Sequence, residues 1–350
     1  MTTTYLGIDL HKRSSVWVLI DQHKKVIKEL NVPCTPEEVS KALTLLPDKE
    51  NMQAAVEPVC GWRWFSSMLE DEGIDVHIAN PYKTRLIAES KLKNDRVDAK
   101  ALAELLKVDY LPLSYKASDT ISDARGIVRH RAYLVRVRTG IKNRIHGICA
   151  RNGLHLTSEK PLHKEGLEKL LVHGSDELKD LVTVLKELDT HITQIEVSME
   201  TLVKGNNEIK LLMTMPGIGK ITGCAIWAEV GDWKRFTTPQ ALSSYAGLVP
   251  RQRSSGSSIH MGHITKVGSK VLRYSLVEAS YRVRNTEKCK TLYEFYERLV
   301  PKGGAKKARV ALARKMLTIL WHMVRNNTPY SDRSLTSTQS VVISTPILML

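Results

Sequence analysis

Eight apolar residues run through positions 178–202 in alternating steps of three and four: Leu178, Leu181, Leu185, Leu188, Ile192, Ile195, Met199 and Leu202. That spacing closes into a single apolar seam only on a long helix. Ser175 is placed to cap its start and Gly205 to stop it. A seam this regular packs as a coiled coil, either with a partner chain or with the helix before it. The preceding stretch is itself helical by pattern. Ile127, Leu134, Ile141 and Ile148 recur every seven residues, with Ile145 completing the stripe. Between Asp123 and Glu159 there is no acidic residue, while Arg125, Arg129, Arg131, Arg136, Arg138, Lys142, Arg144 and Arg151 all fall there. A solvated face mixes both signs, so this one is expected to contact phosphates.

The charge of the whole chain agrees. It carries +15 at neutral pH over 350 residues, and its pI is about 9.5. Such a balance points to a polyanion, of which nucleic acid is the commonest. Cys34, Cys60, Cys149, Cys224 and Cys289 are scattered, odd in number and never spaced C-x-x-C, against both a disulfide framework and a zinc site. A reducing cytoplasm fits. No signal peptide and no apolar run of bilayer length is evident, so no membrane partner is expected.

Before the basic stretch the pattern changes to strands. Residues 4–10, 15–20 and 25–32 read as strands, with a turn at Asp21-Gln22-His23 between the second and third. Thr35-Pro36-Glu37-Glu38 opens a helix, with Thr as cap and Pro in the first turn. A short buried strand at 53–56, a helix at 62–70 and a strand at 75–79 follow. Strands first and strand–helix alternation second imply a mixed α/β sheet. Four carboxylates sit at its element ends. Asp9 closes the first strand, Glu57 closes a later one expected to be parallel to it, and Asp95 and Asp98 share a helix face three residues apart. Converging oxygen donors of this kind suit Mg²⁺ or Mn²⁺. Such a site can hold a scissile phosphate and neutralise charge on a leaving oxygen.

A second domain starts near Ile209 and is mainly helical to about Arg325. Pro216-Gly217-Ile218-Gly219, followed by Lys220, looks like the turn of a helix-hairpin-helix, where glycines admit a phosphate to the following helix N-terminus. The segment 247–258 reads by composition as a flexible loop with Ser254, Ser255, Ser257 and Ser258. Arg251 and Arg253 lie in it, and Lys266, Lys270 and Arg273 follow. A serine among these cations is a candidate nucleophile for a phosphodiester. Residues 326–350, rich in Ser and Thr and without periodicity, read as a mobile tail.

Five segments together carry a family resemblance: Gly7-Ile8-Asp9-Leu10-His11-Lys12, Val56-Glu57-Pro58-Val59-Cys60-Gly61-Trp62, Asn94-Asp95-Arg96-Val97-Asp98-Ala99-Lys100, Met215-Pro216-Gly217-Ile218-Gly219, and Ala246-Gly247-Leu248-Val249-Pro250-Arg251 with Ser254-Ser255-Gly256. In this order the chain resembles the DEDD transposases of the insertion-sequence one-ten family, relatives of the Piv pilin-gene invertase. The resemblance implies an α/β RNase H/RuvC-like domain at residues 1–118, a basic-helix and coiled-coil connector at 119–207, and a mainly α transposase domain with a helix-hairpin-helix-like motif at 208–325. It implies metal binding by Asp9, Glu57, Asp95 and Asp98, and a serine nucleophile that matches Ser255, immediately before Gly256. It also implies donor and target double-stranded DNA, a guiding bridge RNA, and a homo-oligomer, a dimer or a dimer of dimers. The implied activity is DNA recombination through a covalent phosphoserine. Its rivals are a Piv-like invertase, a structure-selective nuclease using water, and a non-catalytic nucleic-acid-binding protein.

Overall fold

A computed structural model describes residues 3–87, 94–154, 162, 164–255 and 258–332. The chain divides into two compact units, Met1–Lys116 and Ala117–Leu350.

The first unit is a five-stranded sheet with helices on both faces. Its elements are β1 (Thr4–Leu10), β2 (Ser14–Ile20), β3 (Val26–Pro33), α1 (Pro36–Thr44), β4 (Met52–Val56), α2 (Trp62–Asp71), β5 (Asp75–Ile78), α3 (Pro81–Ile87) and α4 (Asp95–Lys107). The strand order is β3-β2-β1-β4-β5. β1, β2 and β3 pair antiparallel, whereas β4 and β5 run parallel to β1. Alternation along β1 sends Leu6, Ile8 and Leu10 into a core shared with Trp17, Val39, Leu43, Phe65 and Leu69. Trp17 and Phe65 meet edge to face at 5.7 Å. The indole N–H of Trp17 donates to Ser15 Oγ, which donates in turn to the Val32 carbonyl, so the buried polar atoms are satisfied.

The other face of β1 carries Tyr5, Gly7 and Asp9, and α4 lies across it. Gly7 makes that crossing possible. A Cβ there would stand 1.8 Å from the Ala99 carbonyl oxygen and 2.8 Å from the Ala103 nitrogen. Ala99 and Ala103 are fully buried, so small residues on both elements set the close approach. That approach brings the first turn of α4 over the C-terminal end of β1.

The second unit begins with α5 (Asp119–Arg151), α6 (Lys164–His173) and α7 (Asp176–Gly205). Ser118 caps α5 and Ser175 caps α7, each accepting an N–H of the first turn. α5 and α7 form an antiparallel pair. Arg131 meets Glu196, Arg138 meets Asp189 and Arg144 meets Glu177, so one index falls as the other rises. Of the two packings expected for the heptad helix, the one within the chain is present. α6 adds Leu167 and Leu170 to the closed end of this pair.

Further along lie α8 (Asn207–Leu212), α9 (Lys220–Val230), α10 (Pro239–Tyr245), β6 (Pro250–Ser255), β7 (Ser258–Ile264), α11 (Lys270–Arg282) and α12 (Lys290–Asn326). α9 is buried continuously from Gly223 to Val230 and is the hub of this region, packed by α5, α7, α8 and α11. α12 breaks at Gly304, where φ is 79°.

Two expectations change here. The segment read as a flexible loop is a β-ribbon: β6 and β7 pair antiparallel from Pro250↔Ile264 to Ser255↔Ser258. Backbone pairing overrides the Ser/Gly composition. Gly256 and Ser257 lie outside the described residues. The tail expected to be mobile from 326 is anchored at its start. Tyr330 N–H donates to Thr214 Oγ1, and Asp332 accepts from the Tyr330 hydroxyl and from the N–H and hydroxyl of Thr291. Burial and the Asp332 carboxylate push the Tyr330 phenol well above its ordinary pKa. The rest of that tail, 333–350, lies outside the described residues. No helix among them is long and apolar enough to cross a membrane.

Candidate functional site

Asp9 is the last residue of β1 on the face crossed by α4 and is 7% exposed. Glu57 follows β4 directly, and its N–H donates to the Ile8 carbonyl, continuing the parallel pairing. Strand parity puts Glu57 on the face of Ala55, the face covered by α4. Asn94 caps α4, accepting from Arg96 N–H, so Asp95 and Asp98 occupy its first turn. The four carboxylates expected from the sequence are therefore near neighbours.

Their proximity shows in Asp9. Burial raises its carboxyl from 3.8 to about 6; His11 opposes the shift, and the charges of Asp95, Glu57 and Asp98 reinforce it. His11 was absent from the sequence-based site. Its Nε2 stands 3.4 Å from Asp9 Oδ2 and 3.1 Å from Asp95 Oδ2. One ligand atom each from Asp9, His11 and Asp95 lie within 4.8 Å of one another. The only signal in the sequence was position, two residues past Asp9, and an exposed His after a strand is too common to single out. The donor set fits a hard divalent cation. Three carboxylates crowd a buried fourth, and a cation would remove the cost of ionising it.

The other expected residues are distributed through the second unit. Ser255 is the last residue of β6 and pairs with Ser258; Arg253 pairs with His260. These two cross-strand pairs lie two residues apart along the ribbon. Arg251 donates to the Thr265 carbonyl at 3.4 Å. Lys266 has φ +54°, and Lys270 is the exposed first residue of α11. Arg273 donates to the Ala246 carbonyl at 3.0 Å, and burial lowers its pKa. Gly217 has φ +88°, and a Cβ on it would meet the Ala279 carbonyl of α11 at 2.4 Å. Its freedom thus serves packing. Gly219 precedes α9 as its cap, and Lys220 pairs with Glu200 at 2.6 Å.

The basic helix has partners that the sequence did not show. Arg125 donates to the carbonyls of Ala228 and Glu229 at 2.7 and 3.0 Å. Arg129 grips the Glu229 carboxylate with two hydrogen bonds of 2.7 and 2.9 Å. Arg131, Arg138 and Arg144 pair with Glu196, Asp189 and Glu177 at 2.6, 2.8 and 2.6 Å. The acids missing from this stretch of sequence are supplied by α7 and α9. Of the residues expected to meet phosphate on this helix, Arg136, 5.6 Å from the Tyr133 ring centroid, Lys142 and Arg151 have no acidic partner among the described residues.

Comparison with known proteins places this architecture. A model described as "Transposase", for the DEDD transposases of IS110, matches residues 6–151. Another, described as "Transposase IS116/IS110/IS902 family", matches residues 209–297. The pilin gene-inverting protein of Moraxella bovis is 30% identical over 74% of this chain and 75% of its own. The chain belongs to the IS110 family of transposases. The transposase for insertion sequence element IS1111A of Coxiella burnetii is 28% identical over 93% of this chain and 90% of its own. A probable family 20 transposase of Pseudomonas aeruginosa is 25% identical over 94% and 99%. The first IS110 match contains all four carboxylates and the second contains the β6–β7 ribbon, while α7 falls between them.

Proposed function

We propose that this IS110-family chain cuts and rejoins double-stranded DNA at the ends of an insertion sequence through a covalent phosphoserine. The observation that carries this reading is the convergence of Asp9, Glu57, Asp95 and Asp98 at one end of the sheet, with Asp9 raised to about 6 by burial and its neighbours. We read this unit as an RNase H/RuvC-like domain, residues 119–207 as a connector and 208–325 as the domain carrying the nucleophile. Mg²⁺ or Mn²⁺ held by the carboxylates would supply charge stabilisation to the phosphate and to the leaving 3′ oxygen.

Ser255 is the proposed nucleophile. Its oxygen bonds to phosphorus, the bond to the 3′ oxygen breaks, and a free 3′-OH results. The serine proton needs an acceptor, because a neutral hydroxyl is a poor nucleophile. His260, paired with Arg253 two positions along the ribbon from Ser255, is the imidazole we assign to that task. Arg251, Arg253 and Lys266 would stabilise the phosphorane charge. Energy stays in the serine–phosphate ester, so resealing needs no ATP. A bridge RNA that selects the DNA and assembly as a dimer or dimer of dimers complete the reading. A second reading, a DNA invertase, is favoured by the 30% identity to the Moraxella inverting protein; its chemistry is the same.

The test is a denaturing gel of labelled DNA incubated with protein, Mg²⁺ and the element's RNA. Wild type should leave a covalent adduct. Ser255→Ala and Asp9→Ala should each remove it, and Ser257→Ala should not. An adduct persisting in Ser255→Ala would assign another nucleophile. Cleavage by wild type without any adduct would make water the nucleophile and the protein a nuclease.

A further inference from the structure

Five arginines of α5 are committed to carbonyls and carboxylates of α7 and α9. The outer face of α11 is different. Lys270, Tyr274, Val277 and Tyr281 recur there at steps of four, three and four, and so form one stripe. Tyr274 is 61% exposed and Tyr281 51%. Neither side chain of Lys270 and Tyr274 makes an ion pair, hydrogen bond or ring contact among the described residues. Lys266 and the exposed Val267 precede the helix, Arg282 ends it and Arg284 follows, and the three cations have no acidic partner among the described residues. Glu278 is the one exposed acid on this helix.

Tyr274 and Tyr281 differ from a scattered exposed tyrosine in sharing one helix stripe with cations at both ends. Tyr281 is also held in place. The Arg309 guanidinium lies 5.1 Å from its ring centroid and 3.8 Å from that of Tyr296, and donates to the Ser280 carbonyl. An aromatic ring fixed on one side by a cation and open to solvent offers a ready stacking surface. Tyr274 and Tyr281 are two turns apart, about 10 Å along the axis. Aromatic rings interleaved with unpaired cations match the faces and phosphates of an unpaired strand. A duplex would engage the cations and leave the rings idle, because its bases are already stacked.

We propose that the outer face of α11 binds unpaired nucleic acid by stacking bases on Tyr274 and Tyr281 and pairing phosphates with Lys270 and Arg282. The inference rests on the chain acting on nucleic acid but not on its cleavage chemistry. Binding is therefore read on the full-length Ser255→Ala protein, and cleavage separately on the intact one. The probes are fluorescein-labelled single-stranded RNA and single-stranded DNA without secondary structure, and a blunt DNA duplex.

Tyr274→Ala and Tyr281→Ala should each weaken single-strand binding about ten-fold and leave both duplex binding and the salt slope unchanged. Tyr274→Phe should bind like the parent, because stacking needs the ring and not the hydroxyl. Lys270→Ala with Arg282→Ala should lower the single-strand salt slope by about 1.4, roughly 0.7 per phosphate. The RNA and DNA arms show which kind of strand is preferred. Unchanged single-strand binding in both alanine variants overturns the proposal, as does an equal loss on the duplex. So does a change in sedimentation without loss of binding, which would make the face a contact between copies. Melting curves confirm that each variant is folded.

Discussion

At the scale of single residues, Asp9 pits site against stability. Its carboxyl titrates near 3.8 when unfolded and about 6 in the fold. The contribution from its protonated form is fully present below about 3.8 and is lost as pH rises through about 6. Asp9→Asn remains neutral throughout. In EDTA it should match wild type near pH 4 and exceed it by up to about 3 kcal/mol above pH 7. Urea denaturation at both pH values checks this. Added Mg²⁺ should then stabilise wild type more than the variant. Arg129 poses the opposite case. Its partner Glu229 is fully buried, whereas Arg129 is 57% exposed. Arg129→Ala strands a buried charge and should cost about 2–3 kcal/mol, below the range for a fully buried pair because water screens the arginine. Arg136→Ala should change stability by no more than about 0.5 kcal/mol.

At the scale of elements, the α5–α7 pair separates two apolar stripes that the sequence merges. Leu178, Val182, Leu185, Ile192, Met199 and Val203 are buried. Leu188, Ile195 and Leu202 on α7, with Ile127, Leu134 and Ile141 on α5, are only half-buried. Ile127 and Leu202 line a groove of about 450 Å³ together with Trp227, Thr120 and Thr201. The half-buried stripe is therefore the one available to a partner chain. Leu188→Asp with Ile195→Asp should yield smaller species in sedimentation without loss of helix. Leu185→Asp and Ile192→Asp should unfold the pair, because each puts a charge in its interior. Unchanged sedimentation of the first variant would leave this stripe without a role in assembly. On α5, Arg136→Ala with Lys142→Ala should lower the salt slope of duplex binding by about two, since these groups lack acidic partners among the described residues.

At the scale of the whole molecule, each unit has its own core. Leu6, Trp17, Val39, Phe65 and Leu69 serve the first, and Ile145, Leu170, Leu178 and Leu185 the α5–α7 end of the second. All four carboxylates lie before residue 117. Residues 3–116 expressed alone should fold and keep the response to divalent cation, a gain of about 2.7 kcal/mol at a hundred times the dissociation constant. Calorimetry with Mg²⁺ and with EDTA tests this. A fragment that folds but gains nothing from Mg²⁺ would deny it a complete metal site.

Much of the candidate site was legible because its cues are local. Strand period carried Asp9 and Glu57 to equivalent strand ends, and helix period aligned Asp95 with Asp98. Thr35-Pro36 and Ser175 announced helix starts through hydrogen bonds that span three residues. What stayed hidden involves contacts far apart in the chain. Arg129 finds Glu229 across 100 residues, and Arg144 finds Glu177 across 33. A stretch without acid therefore looked free when it was paired. His11 joined the carboxylates only when α4 crossed β1 at Gly7. Residues 250–255 and 258–264 became a ribbon through pairing that Ser-rich composition does not announce. Local sequence thus determined the elements, their caps and the identity of the acids. Tertiary structure decided which charges remain available and which apolar stripe stays open, because both depend on what packs opposite.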